Sequence, residues 1–464
     1  MKKIFSNFHK LKNKVALETE NKNVFTYSDI VDFLKIINKK IKKKSLILII
    51  SDNTLASISG YASFMISNNI IIVIDKNFKL DFIKKTIKEF KPNYIYAPLI
   101  FINKLDKLHD EKINLDDYKL FSTKNKKIIK LNFKNKLLLS TSGTTQSPKF
   151  VRLSSENIYF NTENIIQYLN INKKHIGLTT MPMAYSYGLS IINTHLEAGA
   201  KIVISKTTIF EKKFWNILNN FKITSLGGVP DFYEMLQKLK FEKFELPHLK
   251  YITQAGGKLS NDLTEYIKKN LIRKFKFYTM YGQTEASPRI SYLPYKYFNQ
   301  KSFSIGKALM GCKIELIDEK NKKIVKENKI GEIVFYGKNV CLGYAKNFND
   351  LKKGDENKSK LFTGDLAYKD KDGFFYIVGR KNKISKIFGL RIDLEQIEKL
   401  IKLKGFIIRC IPDNKYLKIE ISHRISLKQT GKIIEEVKNY TGINKKHIIL
   451  IKTNLKKNIF KQIF

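Results

Sequence analysis

Ser140-Thr141-Ser142-Gly143-Thr144-Thr145-Gln146-Ser147-Pro148-Lys149 is the stretch on which the reading of this chain turns. It sets six hydroxyl side chains, a glycine and a lysine between two strand-like runs, Leu137-Leu138-Leu139 and Phe150-Val151-Arg152-Leu153. A strand feeding a small, hydroxyl-rich, basic loop suits a chain that wraps phosphate oxygens. Backbone N–H groups approach closely, hydroxyls donate and the lysine supplies charge. It is not the common nucleotide loop, which needs Gly-x4-Gly-Lys-[Ser/Thr]; counting from Gly143, position 148 is Pro and position 150 is Phe. A Ser/Thr-rich surface turn is the bland alternative for half of this motif.

At 464 residues the chain exceeds one ordinary core, so two or more domains are expected. An apolar fraction of 43% argues for a folded globular protein. No uninterrupted apolar run approaches the ~18 residues of a spanning helix. The start, Met1-Lys2-Lys3-Ile4-Phe5, has no long apolar region or cleavage site, so a cytoplasmic protein is expected. Cys312, Cys341 and Cys410 are widely spaced and support neither a disulfide framework nor a zinc site. The formal charge of +44 invites a nucleic-acid or anionic-membrane reading. Only seven of the 86 basic residues are arginine, and the 79 lysines are spread through the whole chain. Dedicated phosphate and base readers cluster arginine, so the charge reads as a compositional bias rather than a binding surface.

Strand-like and helix-like segments alternate over 15–153. Turn and short strand (23–27) lead to a helix (28–40, with Ser28 as cap). Strand (46–51), helix (55–68), strand (70–74), helix (80–90) and strand (94–97) follow. The alternation repeats over 156–277. It predicts doubly wound α/β layers with a largely parallel sheet. Short strands with turn signals dominate 302–376, a small β-rich subdomain. Gly379-Arg380-Lys381-Asn382-Lys383 is polar and reads as a hinge. A compact α+β module follows it, with helices at 393–403 and 430–440 and a hairpin around Pro412-Asp413-Asn414.

Tyr281-Gly282-Gln283-Thr284-Glu285 follows the apolar run 275–280 and so belongs at a strand's C-terminal end, where open α/β sheets bind ligands. An aromatic for stacking, a hydroxyl for phosphate and a carboxylate for a cation share this one segment. Thr363-Gly364-Asp365 offers a bidentate acceptor for two ribose hydroxyls. A polar loop and a plain turn are the bland readings of these two motifs.

Together with Ser140–Lys149, these motifs resemble the signatures of the adenylate-forming (AMP-forming) ligases: acyl-CoA synthetases, carrier-protein adenylation domains and luciferases. Gln146 stands where that family usually has Gly. The resemblance implies an α/β fold: a large N-terminal AMP-binding domain, 1–380, with a β-rich subdomain near 302–378, and a small mobile α+β lid domain, 381–464. It implies that Thr141, Ser142, Gly143, Thr144, Thr145 and Lys149 hold phosphates. Tyr281, Gly282 and Gln283 meet the nucleotide, Thr284 meets the α-phosphate and Glu285 helps to hold Mg2+. Asp365 and Arg380 reach the ribose, and Gly256-Gly257 matches the family's glycine turn under adenine. Asn382 takes the hinge position, where Asp or Lys is usual. Gly389 and Arg391 match the strand that lines the thiol tunnel. Gly331-Glu332-Ile333 with Gly343-Tyr344 matches a block read as scaffold. The family's C-terminal catalytic lysine falls on Lys461, with Lys457 second, although no Gly precedes either; a basic amphipathic tail is the competing reading.

The implied reaction joins a carboxylic acid to a thiol: ATP and Mg2+ make an acyl-adenylate, and CoA or a carrier protein's phosphopantetheine accepts the acyl group. Met181-Pro182-Met183-Ala184-Tyr185-Ser186-Tyr187-Gly188 falls where acyl-CoA ligases carry Pro-x-x-His-x-x-Gly, with Tyr185 in the histidine's place. Tyr185, Ser186, Tyr187 and Gly188 are therefore expected at the acyl pocket. Asp231, after Pro230, is expected near its wall, where it could serve a polar acid, with a role at a helix N-terminus the stronger reading. No Asp appears in the Pro182–Gly188 segment to pair with an α-ammonium, which favours a non-amino-acid carboxylate. The compactness resembles stand-alone ligases of bacterial surface-polysaccharide clusters. Three alternatives stand beside this reading: a nucleotide-binding relative without an effective lysine, an amino-acid-activating ligase, and a polyanion binder.

Overall fold

The computed structural model describes residues 4–453, apart from 106–107, 126–131, 133, 141–147, 319, 382–383, 388–389, 412 and 414. The chain divides into two compact units, one of residues 1–141, 146–363 and 367–377, the other of 142–145, 364–366 and 378–464.

Two large sheets build the first unit. The eight-stranded sheet has a parallel centre of Asn135–Ser140, Ile70–Asp75, Leu46–Ser51 and Tyr94–Pro98. These strands are Ile- and Leu-rich and buried on both faces, as parallel strands covered by helices must be. Phe150–Ser154 and Gly343–Ala345 extend this sheet antiparallel, beyond Asn135–Ser140. The nine-stranded sheet runs parallel from Val15–Thr19 through Lys201–Ile204, Ile176–Leu178, Ser225–Gly228 and Tyr251–Gln254 to Lys276–Gly282. Arg289–Leu293 and Lys307–Ala308 close that end antiparallel. One core joins the two sheets: Ile47, Val73 and Leu139 from one and Leu17, Ile202 and Ile204 from the other, with Tyr61 and Phe64 between them. A four-stranded sheet has the order Lys313–Ile317, Gly331–Tyr336, Lys360–Lys369, Phe375–Arg380.

The expected α/β layers are present, with two local corrections. Val15–Thr19 pairs antiparallel with Val24–Thr26, but the two do not join the sheet of Leu46–Ser51 and Ile70–Asp75; on its other edge Val15–Thr19 pairs in parallel with Lys201–Ile204 in the nine-stranded sheet. Ser28 is not the helix cap. Thr26 is: its hydroxyl accepts from Asp29 N–H, and the Asp29 carboxylate accepts from Thr26 N–H at 2.7 Å. The reciprocal box satisfies two helix-end donors, which a cap at Ser28 would leave open.

In the second unit Ile384–Ile387 and Leu390–Asp393 form a hairpin. A three-stranded sheet, Ile408–Ile411, Leu417–Ser422 and Ile448–Thr453, packs with the helices Leu394–Leu403 and Leu427–Thr441. Ser426 and Gln429 box the second helix, and Gly442, at φ +76°, ends it. No helix among the described residues is long and apolar enough to cross a membrane.

Candidate active site

The strand Lys276–Gly282 ends at the C-terminal edge of the parallel sheet and turns back as Arg289–Leu293, with Gly282 opposite Arg289. The turn is tight. A Cβ on Gly282 would lie 2.0 Å from the Pro288 carbonyl oxygen, so only glycine fits. Two buried amides brace it: Asn339 Nδ2 donates to the Ala286 and Arg289 carbonyls at 2.7 Å each, and Asn161 Nδ2 donates to the same pair at 3.3 and 2.9 Å. Thr284 and Glu285 are thereby presented on a braced backbone rather than on a loose polar loop.

Both side chains are engaged. The Thr284 hydroxyl donates to Ser186 Oγ at 3.2 Å, at the start of the helix Ser186–Glu197. Glu285 is 9% exposed. Its Oε1 accepts from the Tyr344 hydroxyl at 2.8 Å, and its carbonyl accepts from Cys341 N–H at 2.8 Å. The Tyr344 ring in turn carries the Lys149 ammonium, 3.8 Å from its centroid. Tyr344 thus links the last residue of the Ser140–Lys149 segment to the carboxylate of the Tyr281–Glu285 segment. Burial, with the Glu285 charge second, pushes the neighbouring Cys341 thiol up to about 12.

Tyr344, expected as scaffold, contributes a hydroxyl that the sequence motifs do not mark. Thr141, Ser142, Gly143, Thr144 and Thr145 lie outside the described residues, as do Asn382, Gly389, Lys457 and Lys461. Gly256, at φ +90°, and Gly257 follow the strand Tyr251–Gln254, where the Gln254 amide donates to the Gly257 carbonyl at 2.8 Å.

The helix Ser186–Glu197 starts one residue after Tyr185. Gly188 packs so tightly that a Cβ would meet the Pro182 carbonyl oxygen at 2.3 Å. Tyr187 is buried and donates to the Thr253 carbonyl at 2.8 Å. It lines a cavity of about 20 Å3 with Ile191, His195, Ser225, Tyr251 and Arg289. Of the four residues expected at an acyl pocket, only Tyr187 borders this cavity. Tyr185 is half-buried, and Ser186 faces Thr284. Asp231 does not border it either; it is exposed in the first turn of Pro230–Lys238. Arg289 and His195 carried no sequence motif, although arginine is scarce enough in this chain to have marked the first.

In the second unit Asp365 is buried within the strand Lys360–Lys369, not in a plain turn. Arg380 Nε donates to Asp365 Oδ1 at 2.5 Å, and Lys381 N–H donates to the Gly364 carbonyl at 2.7 Å. The two residues expected at the ribose are therefore an ion pair. Arg391 lies opposite Lys386 in the hairpin of this unit.

A family model described as AMP-binding enzyme matches residues 32–345. Luciferin 4-monooxygenase of Photuris pensylvanica is 28% identical over 317 residues, 66% of this chain and 57% of that protein. 2-Succinylbenzoate–CoA ligase of Bacillus cereus is 29% identical over 266 residues, 57% of this chain and 53% of that protein. The chain thus spans little more than half the length of these relatives. A solved double mutant of o-succinylbenzoate CoA synthetase from Bacillus subtilis, bound with its product analogue, superposes with a TM-score of 0.76 at 18% identity. The match covers 98% of this chain and 96% of that one, and it shows the same fold.

Proposed function

The chain belongs to the AMP-binding enzyme family, and we propose that it is an AMP-forming acid–thiol ligase. The observation that carries this reading is the link Lys149–Tyr344–Glu285, which gathers a cation and a carboxylate from two separate phosphate-type motifs around one phenol.

The residues fit Mg2+ arriving on ATP. No cluster of three or more metal-ligating side chains occurs among the described residues, and Mg2+ is commonly held by one or two carboxylates plus substrate phosphates. Glu285, whose Oε1 accepts from Tyr344, is the carboxylate that would hold the ion. When bound, the ion neutralises phosphate charge. Lys149, with the hydroxyls and N–H groups of Thr141 to Thr145, would hold the β- and γ-phosphates. Tyr281 would stack on adenine beside Gly282 and Gln283. Asp365, with Arg380 bound to it, would take the ribose hydroxyls.

A carboxylate oxygen of the acid attacks the α-phosphorus near Thr284, and pyrophosphate leaves with the bond electrons. A thiol sulfur of CoA or of a carrier's phosphopantetheine then attacks the acyl carbon, and AMP leaves. Positioning and charge neutralisation supply the rate in both steps. In this reading 1–380 and 381–464 are the two working parts. Lys461 offsets charge in the first step, Asn382 is the pivot, and Gly389 and Arg391 serve the thiol step.

ATP–pyrophosphate exchange with a panel of small carboxylic acids tests the proposal. Exchange is expected with at least one acid. Glu285→Gln should lower it about 100-fold or more, and Lys461→Ala should lower it further than Lys457→Ala does. No exchange with any acid, together with no ATP binding by calorimetry, overturns it.

A further inference from the structure

Arg289 is an enclosed guanidinium to which no described residue supplies an anion. It is 2% exposed, and its Nε has no hydrogen-bond partner. Its surroundings are aromatic: the Tyr187 ring centroid lies 5.1 Å away, and the Tyr168 phenol, a neutral group, is the hydrogen-bonding neighbour whose rise the Arg289 charge opposes. No carboxylate among the described residues reaches it. Among the described residues that line the cavity, Arg289 alone bears a formal charge, because burial pushes the His195 imidazole down to about 4.

A buried charge without a partner is costly, and such groups are ordinarily paired or they shed their charge. Arginine cannot shed it. The backbone nevertheless fixes it there: Arg289 sits opposite Gly282 on the braced hairpin, and its carbonyl takes both Asn161 and Asn339. A ligand remains as the source of the missing anion.

We propose that Arg289 selects the acid: the substrate is a short dicarboxylic acid, one carboxylate reacting near Thr284 and the other paired with the Arg289 guanidinium. The inference rests on the ligase reading for its first carboxylate only. Ser186, which accepts from Thr284, and Tyr187, against which Arg289 packs, are adjacent in the chain, so the two ends of such an acid would meet neighbouring residues. The free space at the cavity, about 20 Å3, is that of a single water, so a carboxylate seats there only as a lining side chain such as Ile191 gives way, and a longer tail requires more displacement still. Bidentate pairing with a planar guanidinium also favours a carboxylate over a neutral acceptor.

Matched acids test it: succinate against butyrate, and glutarate against valerate, in pyrophosphate exchange. The wild type is expected to favour the dicarboxylate by about tenfold or more in kcat/KM. Arg289→Met should remove most of that preference, chiefly by raising KM for the dicarboxylate, and Arg289→Lys should retain part of it. Equal use of both acids by the wild type overturns the proposal. So does an equal loss on both acids in Arg289→Met when its circular dichroism and unfolding match the wild type. Calorimetric titration of succinate and butyrate separates this inference from the ligase reading. If no acid supports exchange, succinate binding that is lost in Arg289→Met still upholds the anion site, and its absence in the wild type overturns it. Exchange with butyrate alone leaves the ligase standing and removes the role of Arg289.

Discussion

Arg152 and Arg289 are both among the largest fully buried side chains of this chain, yet their surroundings differ in kind. The Arg152 guanidinium donates to the carbonyls of Lys353, Leu342 and Gly354 at 2.7, 3.0 and 3.1 Å and to the Glu356 carboxylate at 2.6 Å. Both leave Nε without an acceptor, but Arg289 has a tyrosine face where Arg152 has three carbonyls and a carboxylate. The same functional group is thus used once to close a structure and once to wait for something outside it. Arg152 stands opposite Gly343 in the strand pair that carries Tyr344 beside Val151, so it anchors the segment that reaches Glu285.

Removing Arg152 should break the comparison most visibly. Arg152→Met removes four hydrogen bonds at once, those to three carbonyls and to the Glu356 carboxylate, and a loss of about 3 kcal/mol in urea unfolding is expected. A loss below about 1 kcal/mol would show that water replaces the guanidinium.

Acid comes next. His195 is held neutral by burial, with its ordinary value of 6.5 lowered to about 4. The unfolded chain therefore binds the extra proton first. The contribution of His195 is intact above pH 6.5 and is lost as pH falls through 6.5 toward 4, by at most about 3 kcal/mol. Glu197, raised by burial to about 7, acts the other way and loses stability as pH rises from 4.5 to 7. The slope difference between wild type and His195→Gln therefore isolates the histidine. Identical slopes would place its proton in contact with water.

Tyr344→Phe removes one hydroxyl bond to Glu285 and keeps the ring under Lys149. A fall of about tenfold in kcat for pyrophosphate exchange is expected, with stability unchanged within about 0.5 kcal/mol. An unaltered kcat would return Tyr344 to scaffold. The smallest effect is expected for the stability of Arg289→Met, within about 1 kcal/mol of wild type or above it, because no charged partner is orphaned and the Tyr168 hydroxyl keeps its bond to Met280. A loss matching that of Arg152→Met would erase the contrast.

The α/β layers were legible because their strands are short continuous isoleucine and leucine runs, such as Leu46–Ser51 and Ile70–Asp75, set apart from longer helical segments such as the amphipathic Leu80–Phe90. The Tyr281–Glu285 segment was legible because its chemistry is local. The parallel partner of Val15–Thr19 was not legible, since parallel pairing leaves no mark on either strand. Arg289–Leu293 hides behind a proline and opens on a charged residue that reads as solvent-facing. The Tyr344 hydroxyl meets a carboxylate 59 positions away, a distance over which spacing carries no signal.

The crossing of Val15–Thr19 into the far sheet has a consequence for synthesis. This strand emerges from the ribosome long before Lys201–Ile204 exists to receive it. Until then only the edge that faces Val24–Thr26 can be covered, and the other is a template for pairing with other nascent chains. Expression yield should respond to translation speed and to holdase chaperones more than to any change near Glu285.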